Sequence, residues 1–324
     1  MLGMSVILLV VALVIFAVYY ISLENSVAPT YVSNVLTTNS TSPVFSTPVK
    51  HIIIVVAENE EYTSVIGNKG QAPYENYLAS KYALASEYFA VTHPSLPNYI
   101  ALVAGSYFGI SSDCTPSQCS VNQNSIVTLL NKKGYSWKEY AESMQGNCSQ
   151  TPSSDGLYYP KHNPFVYFSD ITGNEGSGNT SAYCKAHIVP LSQFYLDLAA
   201  NNIPNYVFIT PNMCNDGHDC SVANFDAWLS DFAPKLMNSS VFSTTILFIV
   251  YDEGKSNLGI DGTLGGGQVL CLAISPFAKT GYVSRVEYNH YSILATIESI
   301  YALGNLDQND KNATVMQDLF TVPI

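Results

Sequence analysis

A serine between two prolines is the first group in this chain that could do chemistry. It is Ser95, in the stretch VTHPSLPNYIALVAG at 91–105. Pro94 and Pro97 stiffen the backbone on either side of it. NYIALVAG then reads as a helix, so Ser95 sits at or just before a helix N-terminus, where free N–H groups favour an anionic substrate. Asn98 lies one turn on and can reach the same oxygen atoms. An ordinary serine N-cap would also produce this pattern. A serine nucleophile needs activation, and the G-x-S-x-G elbow of the serine hydrolases is absent. A metal held by carboxylates can supply that activation by lowering the hydroxyl pKa. The carboxylates at hand are Glu58, and Asp252 with Glu253. An oxygen-rich set of this kind suits Mg²⁺, Ca²⁺ or Mn²⁺, and Zn²⁺ if a histidine joins.

These residues need a scaffold that brings them together. HIIIVVA at 51–57 is a continuous β-branched run, as expected of a strand buried on both faces. NYVFIT (205–210), TTILFIVYDE (244–253) and VLCLAIS (269–275) are further such runs. Helical patterns alternate with them: YENYLASKYALA, NYIALVAG, SIVTLLNKKG, LSQFYLDLAANN, VANFDAWLSDFAPKLM and YSILATIESIYALG. The expectation is an α/β fold with a mostly parallel sheet and helices on both faces. In such sheets function gathers at the carboxyl ends of the strands. AENEE follows IIIVV, TPNMCNDGHD follows YVFI, and DEGKSN follows ILFIVY. Helix capping accounts for one such cluster; several converging clusters point to a site.

The chain has 324 residues, of which 12% are charged, against about a quarter in an ordinary soluble domain. With 47% apolar residues it is still a folding sequence, and its formal net charge of -12 gives no footprint for nucleic acid. Residues 1–23 hold an uncharged run from Met4 to Leu23, long enough to span a bilayer. No Lys or Arg precedes it, and Tyr19 and Tyr20 stand where an interfacial belt would. An uncleaved transmembrane anchor is therefore expected rather than a cleaved signal peptide, which would give a secreted protein. Residues 24–47 read as a Ser/Thr-rich linker and 48–324 as one catalytic domain. About 111–190, rich in Cys, Gly, Asn and Tyr, reads as a disulfide-stapled cap or insertion. N-x-S/T sequons at Asn39, Asn147, Asn179, Asn238 and Asn312 suggest N-linked glycans. The cysteines lack CxxC spacing, and Cys114/Cys119, Cys148/Cys184 and Cys214/Cys220 can pair by proximity, with Cys271 a buried thiol. Both features place the domain outside the cell, in an oxidising compartment at the cell surface.

The set AENEEYTSVIG, THPSLPNYIALVAG, YYPKHNPFVYF, PNMCNDGHDC, YDEG and YNHYSILATIESIYAL resembles the acid phosphatase/phospholipase C phosphoesterase family, within the alkaline-phosphatase-like superfamily. The resemblance covers about 51–303, with the motifs in family order. It implies Ser95 as nucleophile and metal ligand, and Asn98 as a phosphate contact. It implies a metal site of Glu58, Asn59, Asp252 and Glu253. Lys161 and His162 take the position of phosphate-contacting groups, His218 that of the acid protonating the leaving oxygen, and His290 a recurrent substrate-side position. Many relatives carry a histidine where this chain has Gln268, so a single metal ion is expected. The implied reaction is hydrolysis of phosphate monoesters through a phosphoseryl intermediate at acidic pH. A phosphodiesterase or phospholipase C acting on lipid head groups is the alternative, and a non-catalytic surface glycoprotein that keeps the fold is a third possibility. Among the other histidines, His51 and His187 read as structural, and His93 stands beside the nucleophile. Asp216 and Asp219 flank His218, either to orient its ring or as parts of a tight loop.

Overall fold

The computed structural model describes residues 48–173 and 180–324. The expected anchor (1–23), the linker (24–47) and the sequons at Asn39 and Asn179 lie outside the described residues. Among the described residues no helix is long and apolar enough to cross a membrane.

The strands in chain order are β1 (His51–Ala57), β2 (Ala83–Ala85), β3 (Tyr88–Phe89), β4 (Trp137–Ala141), β5 (Ile188–Pro190), β6 (Tyr206–Thr210), β7 (Thr245–Tyr251), β8 (Cys271–Ile274), β9 (Tyr282–Ser284) and β10 (Tyr288–Asn289). The longer helices are α1 (Pro73–Lys81), α2 (Ser95–Ala104), α3 (Ile126–Lys133), α4 (Ser192–Ala199), α5 (Val222–Met237) and α6 (His290–Ile300). Eight strands form one sheet in the order β5-β4-β6-β1-β7-β8-β2-β9. From β5 to β7 the pairing is parallel throughout, and β8 runs antiparallel to both its neighbours. β3 and β10 make a small separate parallel pair.

Central β1 explains its own sequence. Ile52 through Ala57 have no exposed surface, because helices cover both faces. Side chains alternate across a strand. Phe208 is in register with Ile54, and Tyr251 with Ala57, three residues further along; the two rings therefore point to opposite faces. Phe208 meets Tyr99 of α2 on one side, and Tyr251 meets Phe225 of α5 on the other. α6 packs with α2, and α1 with α5. The expected layering is thus present.

Two departures from the expected organisation have local causes. The segment 111–190 is not wholly a cap, since β4 and β5 within it are strands of the main sheet. WKEYA hides its strand character because Lys138 and Glu139 interrupt the apolar run; Lys138 is held by Asp197 at 2.6 Å. The helical reading of YENYLASKYALA fails at Tyr82, which turns extended, and Leu84 pairs with Leu272 in the sheet instead. The three expected disulfides are present, Cys114–Cys119, Cys148–Cys184 and Cys214–Cys220, and Cys271 is a buried free thiol. Asn147, Asn238 and Asn312 are exposed.

The far end of α2 is pinned as firmly as its start. Gly105 ends that helix in the left-handed region at φ 69, and a Cβ there would lie 2.5 Å from Asp310 Oδ1. Asp310 in turn packs against Glu298 of α6, and burial, then the Asp310 charge, pushes the Glu298 carboxyl up to about 9. A carboxyl raised in the folded state keeps its proton longer than in the unfolded chain. Its share of stability is therefore full below the unfolded value and is lost as pH climbs from there towards about 9. Glu298→Gln should flatten this decline: thermal unfolding from about pH 5 to pH 9 should show the variant gaining on wild type as pH rises. A constant difference across that range would refute the assignment.

Candidate active site

The polar clusters that follow β1, β6 and β7 meet at one edge of the sheet. The register does this. Ala57 pairs with Tyr251, so Glu58 and Asp252 leave adjacent strand ends together. Asp252 N–H donates to the Ala57 carbonyl at 2.9 Å, and Glu58 N–H to the Asp216 carbonyl at 2.9 Å. Asn59 has a left-handed φ of 53, a conformation Asn tolerates better than most residues. Its own N–H donates to Asp252 Oδ1 at 3.0 Å.

Ser95 is the first residue of α2, with Pro94 as its cap after a cis His93–Pro94 bond. Asn98 holds this turn closed. Its Oδ1 accepts the N–H groups of Val91 and Thr92 at 3.1 and 3.2 Å, and its Nδ2 donates to the carbonyls of Thr92 and Pro94 at 2.7 and 3.1 Å. Both ends of the amide are committed to backbone. Asn98, the expected phosphate contact, thus braces this turn. From the other side Gly266 comes so close that any Cβ would strike the Thr92 carbonyl.

Ser95 Oγ, thus fixed, faces Glu58 Oε2 at 3.0 Å, Glu253 Oε1 at 3.3 Å and Asn59 Oδ1 at 3.4 Å. Asp252 Oδ2 is buried beside them without a hydrogen-bond partner. Glu58 and Asp252 are wholly buried and Glu253 is 6% exposed. Burial pushes all three carboxyls up; the charges of Asp252 and Asp216 add to the rise at Glu58, and Glu253 adds to it at Asp252, while His93 opposes it at Glu253. With its nitrogen inward, the Asn59 amide would donate to Glu253 Oε1 at 3.0 Å and Glu58 Oε2 at 3.2 Å. With its oxygen inward, it completes a ring of oxygen donors. Buried oxygens converging without enough protons between them are what a hard divalent ion satisfies. The structure brings the expected ligands Glu58, Asn59, Ser95, Asp252 and Glu253 to this one edge.

The remaining candidates separate into two kinds. His162 lies on the far side of Glu58, with Nε2 3.1 Å from Glu58 Oε1 and Nδ1 3.1 Å from Asp216 Oδ2, its ring stacked on Tyr99. Burial, aided by the Lys161 charge, holds its pKa well below normal. Burial also pushes Asp216 up to about 7, so this cluster can share protons between imidazole and carboxyls. Lys161 Nζ reaches His218 Nε2 at 2.9 Å and Asp113 Oδ2 at 3.2 Å. An ammonium can only donate, so His218 accepts at Nε2 and turns Nδ1–H to Asp219 Oδ1, 2.7 Å away. Burial works against the Lys161 charge, yet Glu58 and Asp113 lift its pKa above the ordinary value. Glu58, His162 and His218 also offer three ligand atoms within 4.8 Å of one another.

His290 is different. It has no exposed surface; Nε2 meets the Asp252 carbonyl at 2.6 Å and Nδ1 the Tyr88 hydroxyl at 3.0 Å. Burial lowers its pKa to about 4, so a neutral ring props the strand end from beneath. This is where the structure places His290, the expected substrate-side residue. Gln268 spends its amide nitrogen on the Ser86 carbonyl at 2.7 Å.

Three groups at this edge were not among the expected site residues. His93 Nδ1 touches Glu253 Oε2 while its Nε2 meets the Ser256 carbonyl at 2.9 Å; its place beside Ser95 was the available signal. Glu61 gathers the N–H groups of Lys255, Ser256 and Gln268 at 2.8, 3.0 and 3.2 Å, folding the loop after Glu253. Asp113 accepts the Leu96 N–H at 3.0 Å; it stands in the stretch read as a cap, where nothing in the sequence marked it.

Known proteins align with this arrangement. The chain is 32% identical over 304 residues to a probable acid phosphatase of Kluyveromyces lactis, covering 91% of this chain and 67% of that one. It is 33% identical over 256 residues to a phosphatidylinositol-3-phosphatase of Mycobacterium tuberculosis, covering 78% of this chain and 77% of that one. A solved alkaline phosphatase superfamily protein from Vibrio parahaemolyticus superposes with a TM-score of 0.52 at 15% identity, over 84% of this chain and 72% of that one, a likeness of fold alone. The model of the Phosphoesterase family matches residues 68–304. Motif order, fold and match agree, and the chain belongs to the phosphoesterase family.

Proposed function

We propose that this protein is a metal-dependent phosphatase that hydrolyses phosphate monoesters at acidic pH through a phosphoseryl intermediate on Ser95. The observation that carries this reading is the convergence of Glu58, Asn59 and Glu253 oxygens on Ser95 Oγ at the start of α2. Glu58, Asn59, Ser95, Asp252 and Glu253 would hold one divalent ion, which when bound supplies Lewis-acid activation of the serine and neutralises developing charge.

The chain's own residues do the rest. Ser95 Oγ attacks phosphorus in line as the bond to the leaving alcohol breaks. Glu58 Oε2, 3.0 Å away, is placed to take the hydroxyl proton. The Lys161 ammonium attracts the phosphoryl oxygens, where transition-state charge collects. The proton shared between Lys161 and His218 goes to the departing oxygen, with Asp219 fixing the imidazole tautomer. Water then cleaves the phosphoserine and restores Ser95. The Kluyveromyces relative's name as a probable acid phosphatase supports an acidic working range. The mycobacterial relative, named for a phosphoinositide, favours monoesters on lipid head groups as one substrate class. The disulfides and the exposed sequons at Asn147, Asn238 and Asn312 support a glycosylated domain outside the cell; the uncharged run at 4–23 would be its tether.

Two measurements test this reading. The full chain should turn over p-nitrophenyl phosphate fastest at acidic pH, lose activity to a chelator and regain it with a divalent ion. Ser95→Ala should cost at least about a thousandfold in kcat; near-normal turnover in that variant would sink the mechanism. The monoester should also be preferred over bis-p-nitrophenyl phosphate by about tenfold or more, a difference of about 1.4 kcal/mol in barrier. The reverse preference would make the protein a diesterase of the phospholipase C kind.

A further inference from the structure

Asp113 has no part in the mechanism above, yet it joins two donors suited to phosphate. Its Oδ1 accepts the N–H of Leu96, the second residue of the nucleophile helix, at 3.0 Å. Its Oδ2 accepts from Lys161 Nζ at 3.2 Å. The side chain is 30% exposed beside a Lys161 that is 15% exposed, so the carboxylate opens onto solvent at the site.

It is also held firmly. Cys114, the next residue, is tied to Cys119. The Cys114 carbonyl accepts the Tyr167 hydroxyl at 2.7 Å, and the Tyr167 carbonyl accepts the Val121 N–H at 2.8 Å. The loop bearing Asp113 is thereby fastened to the segment that carries Lys161 and His162. The groups that feel its charge are Lys161, with His218 behind it, His162 and Tyr167 on the same segment, and Glu253 at the end of β7.

Building on the phosphatase reading, we infer that Asp113 sets the charge state of phosphate that the site accepts, favouring the monoanion over the dianion. A phosphate drawn to Lys161 must sit next to this carboxylate. The monoanion carries a P–OH that can donate to Asp113, turning the contact into a hydrogen bond. The dianion offers only acceptors there, and like charges at such short range repel. A phosphate monoester loses its second proton at about pH 6. Selection of the monoanion would therefore bias the enzyme towards acidic conditions through its substrate, separately from any proton donor on the protein.

The test measures inorganic phosphate binding by calorimetry. The full chain, with divalent ion supplied, is compared with Asp113→Asn at about pH 5 and about pH 8, where the monoanion and the dianion respectively prevail. Asn keeps an oxygen acceptor for the Leu96 N–H. The variant should bind phosphate about tenfold more tightly than wild type at the higher pH and within about twofold of it at the lower. Sulfate, dianionic at both, should gain in both conditions. Asp113→Glu, which keeps the charge, should retain the wild-type ratio between the two pH values. Equal weakening of phosphate at both pH values would overturn the inference and leave Asp113 a tether for Lys161; so would unchanged binding. Turnover of p-nitrophenyl phosphate by wild type, followed in parallel, keeps the two readings apart, because its absence would sink the phosphatase function while the binding ratio still decides the role of Asp113.

Discussion

Three carboxylates buried at the ends of two neighbouring strands are the constraint around which this molecule is organised. The register of β1 against β7 delivers Glu58 beside Asp252, and Glu253 follows in the chain. Burying charge is expensive unless it is paired or neutralised. Three of the surrounding histidines pack against these residues, one at each: His162 beside the Glu58 carboxylate, His93 against that of Glu253, and His290 beneath the Asp252 carbonyl. Each comes from a different part of the chain. The helices and loops that deliver these rings are thereby drawn to the same edge, and α2 with Ser95 is drawn with them.

Much of this was legible in the sequence because a fully buried strand must be apolar along its whole length. The runs IIIVV, YVFI and ILFIVY fixed β1, β6 and β7 nearly to the residue, and the acids that end two of them stood out for that reason. Ser95 was legible through its prolines and the apolar helix behind it. The edge strands were not. β4 carries Lys138 and Glu139 within its span, and β2 is a three-residue continuation of a helical pattern. In both, tertiary pairing overrides the local pattern.

The site shows a second limit of the same kind. Sequence places a polar residue near the chemistry but does not say where its polar atoms point. Asn98 and His290 are both at the site, yet each turns its hydrogen-bonding atoms to backbone or to a buried tyrosine. Asp113 is the opposite case. Nothing around it in sequence suggests a site, and the Cys114–Cys119 loop together with Tyr167 brings it to Lys161. A residue reached only through long-range contacts leaves no local pattern to read.

Charge balance bears on how many metal ions the site would take. Glu58, His162 and His218 could in principle hold a second ion. Lys161 already directs its ammonium at His218 Nε2, using the lone pair such an ion would need. Its pKa is lifted by Glu58, so the positive charge is retained where burial alone would remove it. Gln268 turns its amide nitrogen to Ser86. One fixed ammonium thus supplies the positive charge that a second divalent ion would bring, and it brings a transferable proton as well. The lone pair and the positive charge at this end of the site are therefore already supplied by the Lys161–His218 pair.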